Sequence, residues 1–179
     1  MEDIKFQIAD AAKQLMHSHD LEKITVGQIC SLANVSRQTF YRNFKDKYDL
    51  VNWYFEKLAQ KSFKQMGVSC SLKEGLTKKF VFLKNEKAFF TQAFKSDDVN
   101  SLKEYDYQCI LKFYTDIINK KLEGEMDSQT FFALKVYCSG SISMTVEWVK
   151  NGMKTSPEEM ADMLIAALPQ CLNELLCTF

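Results

Sequence analysis

Proline is nearly absent from this chain: two residues in 179, beside six glycines. With so few breakers, and with Leu, Lys, Glu, Phe and Met plentiful, the propensities favour helices joined by short connections. Histidine is almost as scarce. His17 and His19 are the only two. They fall at an expected helix end, and no Cys, Asp or Glu arrangement around them makes a metal site or a catalytic triad. We therefore expect no enzyme activity, no cofactor and no metal. The six cysteines form no C-x-x-C pair, and no secretory leader precedes them, so reduced thiols in a cytoplasm are the expectation. No apolar run approaches the about 18 residues of a membrane span. Net charge is also missing: 23 basic and 23 acidic side chains cancel. That excludes a protein that coats nucleic acid indiscriminately, and any DNA contact must come from a local basic patch.

What is present is enough apolar material, 46% of residues, to fill a core. Ile4, Ile8, Ala11, Ala12 and Leu15 recur at helical spacing and predict a first helix over 2–18. Thr25 precedes Val26, Ile29 and Leu32 as the N-cap of a short helix, Ala33 to Val35 make a turn, and Ser36 caps a second short helix to about Asn43. A longer helix starts near Lys47 and runs past Lys61. After a loop at 67–71, helices are expected at about 72–84, 86–96, 101–123, 127–151 and 157–177, making about nine in all. Ser156, Pro157 and Glu159 combine a cap, a proline at the first helical position and a capping-box Glu. Pro169 should kink or split the last helix. The expected architecture is all-α, with a helix-turn-helix unit at 1–46 and a helical body at 47–179 sharing the long helix between them.

Helix, tight turn, helix is the geometry that lets a second helix enter a major groove while the first crosses the backbone. Asn34 falls where the turn needs a positive φ, which Asn tolerates. Val35, Phe40 and Phe44 would face inward. Arg37, Gln38, Thr39, Tyr41 and Arg42 crowd the other face, and each can hydrogen-bond to bases or phosphates. From Asn34 to Lys47 four cations, Arg37, Arg42, Lys45 and Lys47, stand against Asp46. Thr25 and Ser36 could also offer backbone N–H groups to phosphates. A plain solvated face would explain the polarity, but not its union with a capped turn, an aromatic inner face and a basic rim.

The stretch from Ile8 to Leu50, with Ala11-Ala12, Thr25-Val26, Ile29, Ala33 and then N-V-S-R-Q-T-F-Y-R-N-F-K-D-K, resembles the N-terminal domain of TetR/AcrR regulators. The resemblance implies that Ser36 to Asn43 is a recognition helix, that Thr25, Tyr41 and Lys47 anchor phosphates, and that Arg37, Gln38, Thr39 and Arg42 lie at or near bases. Asn34 and Asp20 replace frequent glycines, and Asn43 a position often aromatic or His, which leaves the Asn43 contact open. Ser139 to Leu164 is similar to a subgroup that includes regulators near dihydroxyacetone kinase operons.

A palindromic double-stranded operator is read best by a two-fold symmetric protein, so a homodimer is expected. Val136, Gly140, Ser143 and Met144 on one helix, with Met160, Met163, Leu164, Ala167, Leu168, Cys171, Leu172 and Leu175 on the last, are the candidate dimer surface; they could equally be intramolecular core. Phe80, Phe90, Phe94, Tyr107, Phe113, Tyr114 and Trp148 are candidates to line an effector pocket, with plain core packing as the alternative. The expected function is a DNA-binding transcriptional regulator, repressor or activator, controlled by a small-molecule effector. The alternatives are an activator controlled by a partner protein and a helical interaction module without DNA binding.

Overall fold

The computed structural model describes residues 2–63, 71–96, 98 and 100–177; for 2, 58 and 60–63 the description covers the backbone alone. Most of the expected 67–71 loop, with Cys70, lies outside the described residues. Among those described there are ten α-helices and no strand. They are α1 (Glu2–Met16), α2 (Val26–Leu32), α3 (Arg37–Asn43), α4 (Lys47–Phe63), α5 (Leu72–Asn85), α6 (Lys87–Ala93), α7 (Leu102–Leu122), α8 (Ser128–Lys150), α9 (Pro157–Ala166) and α10 (Gln170–Leu176), with a 3-10 turn at Leu21–Lys23 before α2.

The count exceeds nine because Pro169 splits the final segment. Its ring cannot donate to the helix ladder, so α9 ends at Ala166 and Pro169 stands ahead of α10 with an extended ψ of 141°. The capping signals act where they stand. Ser156 accepts from the Glu159 N–H while Glu159 takes the Ser156 N–H in return, with Pro157 at the first helical position. The first helix stops at Met16 rather than Ser18, and His17 and His19 lie exposed beyond it, His19 Nδ1 sharing a 2.8 Å hydrogen bond with Ser18 Oγ.

In the N-terminal unit α1 packs on α2 and α4, and α2 on α3. Ile8, Ala11, Ala12 and Met16 turn inward from α1 to meet Ile29, Phe40, Phe44 and Leu50. A chain of rings continues this core from α3 into α4: Phe40 lies 5.8 Å from Phe44, Phe44 5.5 Å from Trp53, and Trp53 5.0 Å from Phe6 of α1. Each fully buried Phe contributes about 2 kcal/mol from area alone, so these rings outweigh any single cap in holding the short helices together.

The body is built on two long pairings, α5 along α9 and α7 along α8, with α10 closing against both α7 and α8. α4 bridges the two parts, touching α1 on one side and α5 and α7 on the other. Two polar ties fix that bridge, and a third joins α1 to the body directly. Asn52 Nδ2 donates to the Asn100 carbonyl at 3.0 Å, Tyr105 Oη to Glu56 at 2.9 Å, and the Lys13 ammonium of α1 pairs with Glu86 at the start of α6.

Candidate nucleic-acid interface

Two capped ends set the geometry of the N-terminal unit. Thr25 Oγ1 accepts from the Gln28 N–H at 3.2 Å, and Gln28 Oε1 accepts from both the Thr25 N–H and its hydroxyl. Ser36 Oγ accepts from the Thr39 N–H at 3.0 Å and shares a further bond with the Thr39 hydroxyl. Between the caps, the chain turns sharply at Asn34, whose φ of 50° is the left-handed conformation expected there. Gln7 of α1 donates to the Ala33 carbonyl at 2.7 Å and fixes the turn from behind.

Burial of Phe40 and Phe44 settles which side of α3 faces out. Arg37, Gln38, Tyr41 and Arg42, at spacings of one and four, form a single exposed stripe continued by Lys45. Tyr41 is 58% exposed, an unusual placement for a tyrosine ring, and it is propped edge-on against Phe40 at 5.5 Å. The Arg37 guanidinium reaches back over α2. A Cβ at Gly27 would sit 2.9 Å from its Nη2, so a side chain there would oblige the flexible end of the arginine to move aside. The buried Cys30 thiol lies beneath, its pKa raised by burial while the Arg37 charge pulls it down.

Not every candidate faces outward. The hydroxyls of Thr25 and Thr39 are both engaged locally, which leaves the Thr39 methyl and the Thr25 backbone for outside contact. Asn43 folds back, donating to the Thr39 carbonyl at 2.8 Å. Lys47 departs most from expectation. Its ammonium donates to the carbonyls of Leu21 and Glu22 at 2.7 Å and of Ile24 at 3.0 Å, so its three protons are spent within the protein. Desolvation pushes its pKa down, against the pull of Glu22, Asp98 and Asp46. Asp46, read in the sequence only as a lone anion of the rim, caps α4 by accepting the N–H groups of Tyr48 and Asp49, each at 2.8 Å. An Asp one residue before an expected helix start was the signal for it. Lys5, which sequence reasoning did not single out, lies 5.1 Å over the Phe44 ring and 5.5 Å over Trp53.

In the body, a half-open cavity of about 320 Å³ lies between α4 and α7. Phe55, Ala59, Ile110, Phe113 and Tyr114 give it apolar walls, with Glu56, Asp106, Cys109, Lys112 and Asp116 also at its lining. Of the seven pocket candidates, only Phe113 and Tyr114 line it. Phe80 and Trp148 stack edge-on at 5.2 Å inside the core, Phe90 and Phe94 are buried among other rings, and Tyr107 is half-buried elsewhere. Helical spacing identifies a buried ring but cannot say whether its neighbour is a side chain or a void. Behind the cavity, Lys79 and Asp106 form a buried pair, Nζ to Oδ2 3.0 Å and to Oδ1 3.3 Å.

A second outward face runs along α8 and across α9 and α10. Phe132, Val136, Gly140, Ser143 and Met144 lie exposed on α8, joined by Met163, Ala167 and Cys171. Phe132, 65% exposed and four residues before Val136 on the same stripe, went unread in the sequence. A Cβ built at Gly140 meets nothing within 4 Å, so the stripe has a shallow centre. The candidates Met160, Leu164 and Leu172 instead belong to the core within the chain, because α9 and α10 turn that edge onto α5, α7 and α8. Leu168 and Leu175 sit between, half-buried. Tyr137 donates to the Leu164 carbonyl at 3.1 Å and holds α9 against α8. No described helix is long and apolar enough to cross a membrane.

The solved structures similar to this chain include the dihydroxyacetone kinase operon activator DhaS, with a TM-score of 0.69 and 19% identity over 99% of this chain and 100% of that one. A TetR transcriptional regulator from Streptococcus agalactiae 2603V has a TM-score of 0.64 and 23% identity, covering 94% and 95% of the two chains. FadR from Bacillus subtilis, solved in complex with stearoyl-CoA, has a TM-score of 0.62 and 20% identity, covering 93% and 98%. At these identities the likeness is one of fold. In sequence, 49 residues are 43% identical to the HTH-type dhaKLM operon transcriptional activator DhaS of Lactococcus lactis subsp. lactis (strain IL1403); they span 27% of this chain and 26% of that relative. Residues 8–53 match the model for bacterial regulatory proteins of the tetR family, and residues 71–170 that for a transcriptional regulator C-terminal region, TetR_C_8. With both regions matched, and with a helix-turn-helix ahead of an all-helical body, the chain belongs to the TetR family of transcriptional regulators, which are transcription factors and not enzymes.

Proposed function

We propose that this protein is a homodimeric regulator that reads a palindromic operator with α3 of the 1–46 unit and is governed through its 47–179 body. The observation that carries the reading is the exposed stripe of Arg37, Gln38, Tyr41 and Arg42 on a helix whose opposite side is locked by Phe40 and Phe44. Arg37 and Gln38 suit guanine and adenine edges, while Tyr41, Arg42 and Lys45 suit phosphates. The stripe concentrates positive charge in a protein with none overall. Two copies arranged about a dyad would meet through the α8 to α10 face, whose exposed Phe132, Val136, Met144 and Met163 form an apolar patch suited to a four-helix contact.

The α4–α7 cavity is the site we assign to a small-molecule effector. Its volume sits at the lower end of the range for ligand pockets, and its walls are apolar with a few polar groups. A ligand seated there would bear on Phe55 and Ala59 of α4, the helix that carries the reading unit, and would shift the separation of the two α3 helices. An activating output is favoured by the name DhaS, an operon activator, which both the sequence match and the structural likeness carry.

The test is a gel-shift titration of the DNA upstream of the neighbouring genes with wild type and with the R37A/Y41A double variant. Binding should fall by about 100-fold, as two good contacts per reading head are removed, while the helical signal and dimer mass stay unchanged. Undiminished binding would refute the reading. Met163→Asp should shift the sedimenting species from dimer to monomer.

A further inference from the structure

Lys47 offers the operator nothing to hold. An ammonium has three protons, and each points at a carbonyl of the short segment that precedes α2: Leu21, Glu22 and Ile24. That segment ends at Ile24, and the next residue, Thr25, is the cap that fixes the first turn of α2. Lys47 itself stands on the first turn of α4, whose start is fixed by Asp46. One side chain therefore clamps the entry of α2 to the entry of α4. Farther along, α4 is tied to the body through Asn52 and Glu56.

We propose that Lys47 is a positioning residue of the reading unit and not one of its phosphate ligands: its ammonium binds residues 21–24 to α4, so that α2 follows α4 when the body moves it. The inference rests on the operator reading given above. Without the clamp, α4 could tilt under the body while α2 stayed behind. The angle between the two helices that flank α3 would then no longer be set.

Salt dependence separates a clamp from a phosphate ligand. Each phosphate contact contributes about 0.9 to the slope of log affinity against log salt, so a ligand lost from both protomers flattens the slope by about 2. Lys45→Met, in the exposed rim, should show that flattening. Lys47→Met removes all three hydrogen bonds of the clamp and should weaken operator binding by about tenfold, with the wild-type slope kept. Lys47→Gln, whose amide still offers two N–H donors, should recover part of the loss although it carries no charge. A slope flattened by Lys47→Met as by Lys45→Met, unchanged affinity, or identical behaviour of the Met and Gln variants would each overturn the proposal. In the protein without DNA, Lys47→Met should speed amide exchange across Val26–Leu32. Unaltered exchange there overturns the clamp whatever the DNA measurements give, and this readout also stands if Lys47→Met binds no DNA at all. Binding that survives R37A/Y41A refutes the operator reading separately, before any Lys47 variant is compared.

Discussion

The reading unit and the body use the same material, rings packed on helices, yet they finish their polar groups in different settings, at exposed helix ends in the first and in buried pairs in the second. Around α2 and α3 the polar ends meet complementary partners: Thr25 with Gln28, Ser36 with Thr39, Gln7 with the Ala33 carbonyl, Lys47 with three carbonyls. In the body a Lys79–Asp106 pair is buried beside a cavity, and where the body meets the N-terminal unit Asn52 Oδ1 of α4 and Gln92 Oε1 of α6 lie buried without a hydrogen-bond partner. The first pattern specifies one geometry closely. The second also satisfies Tyr137, Ser141, Thr145 and Trp148 but leaves two buried oxygens unspent at its border.

Breaking the buried pair should have the largest effect. Lys79→Met strands the Asp106 carboxylate, which is inaccessible to solvent, and should lower stability by about 3–5 kcal/mol in urea unfolding. Adding Asp106→Leu should restore most of that loss, because two apolar groups of similar volume remove the unpaired charge. A double variant as unstable as the single would mean that the pair supports the body beyond its own charges.

Alkaline pH sharpens the contrast with a smaller effect. Burial pushes the Cys138 thiol from 9.0 up to about 12. Above about pH 9 the unfolded chain gives up this proton and the folded chain keeps it, so stability present below that pH is lost as it rises, by up to about 1.4 kcal/mol per unit. The urea midpoint should fall between pH 9 and 11, and Cys138→Ala should make that fall shallower. An identical profile for the variant would remove Cys138 from the account.

The smallest effect should come from the reading unit. Ser36→Ala removes one cap and should cost about 1 kcal/mol, with amide exchange quickened at Thr39 and its neighbours. Equal loosening throughout the body would contradict the separate finish of the two regions.

Local signals were legible in the sequence and long-range ones were not. Thr25, Ser36 and Ser156 act over three residues, so their roles could be read from the residues beside them. Asn34 and Pro169 are likewise governed by their own backbone chemistry. Lys47 reaches carbonyls 23 to 26 positions away, and nothing in its neighbourhood in the chain announces that. The pocket candidates divide for a related reason. Phe80 and Phe113 have the same apolar character and helical spacing, but one finds Trp148 beside it and the other an opening. On α8 the stripe was visible from Val136 to Met144, and its extension to Phe132 needed only one more step of four.

The missing side chain at Gly27 carries a consequence for how the groove is entered. It leaves Arg37 a berth against α2, where the guanidinium can rest without leaving solvent. A methyl at that site would meet the tip of the guanidinium and oblige it to shift. With the berth open, the longest arm of the reading helix can rest folded on α2 and still swing free, since only its flexible tip touches that site.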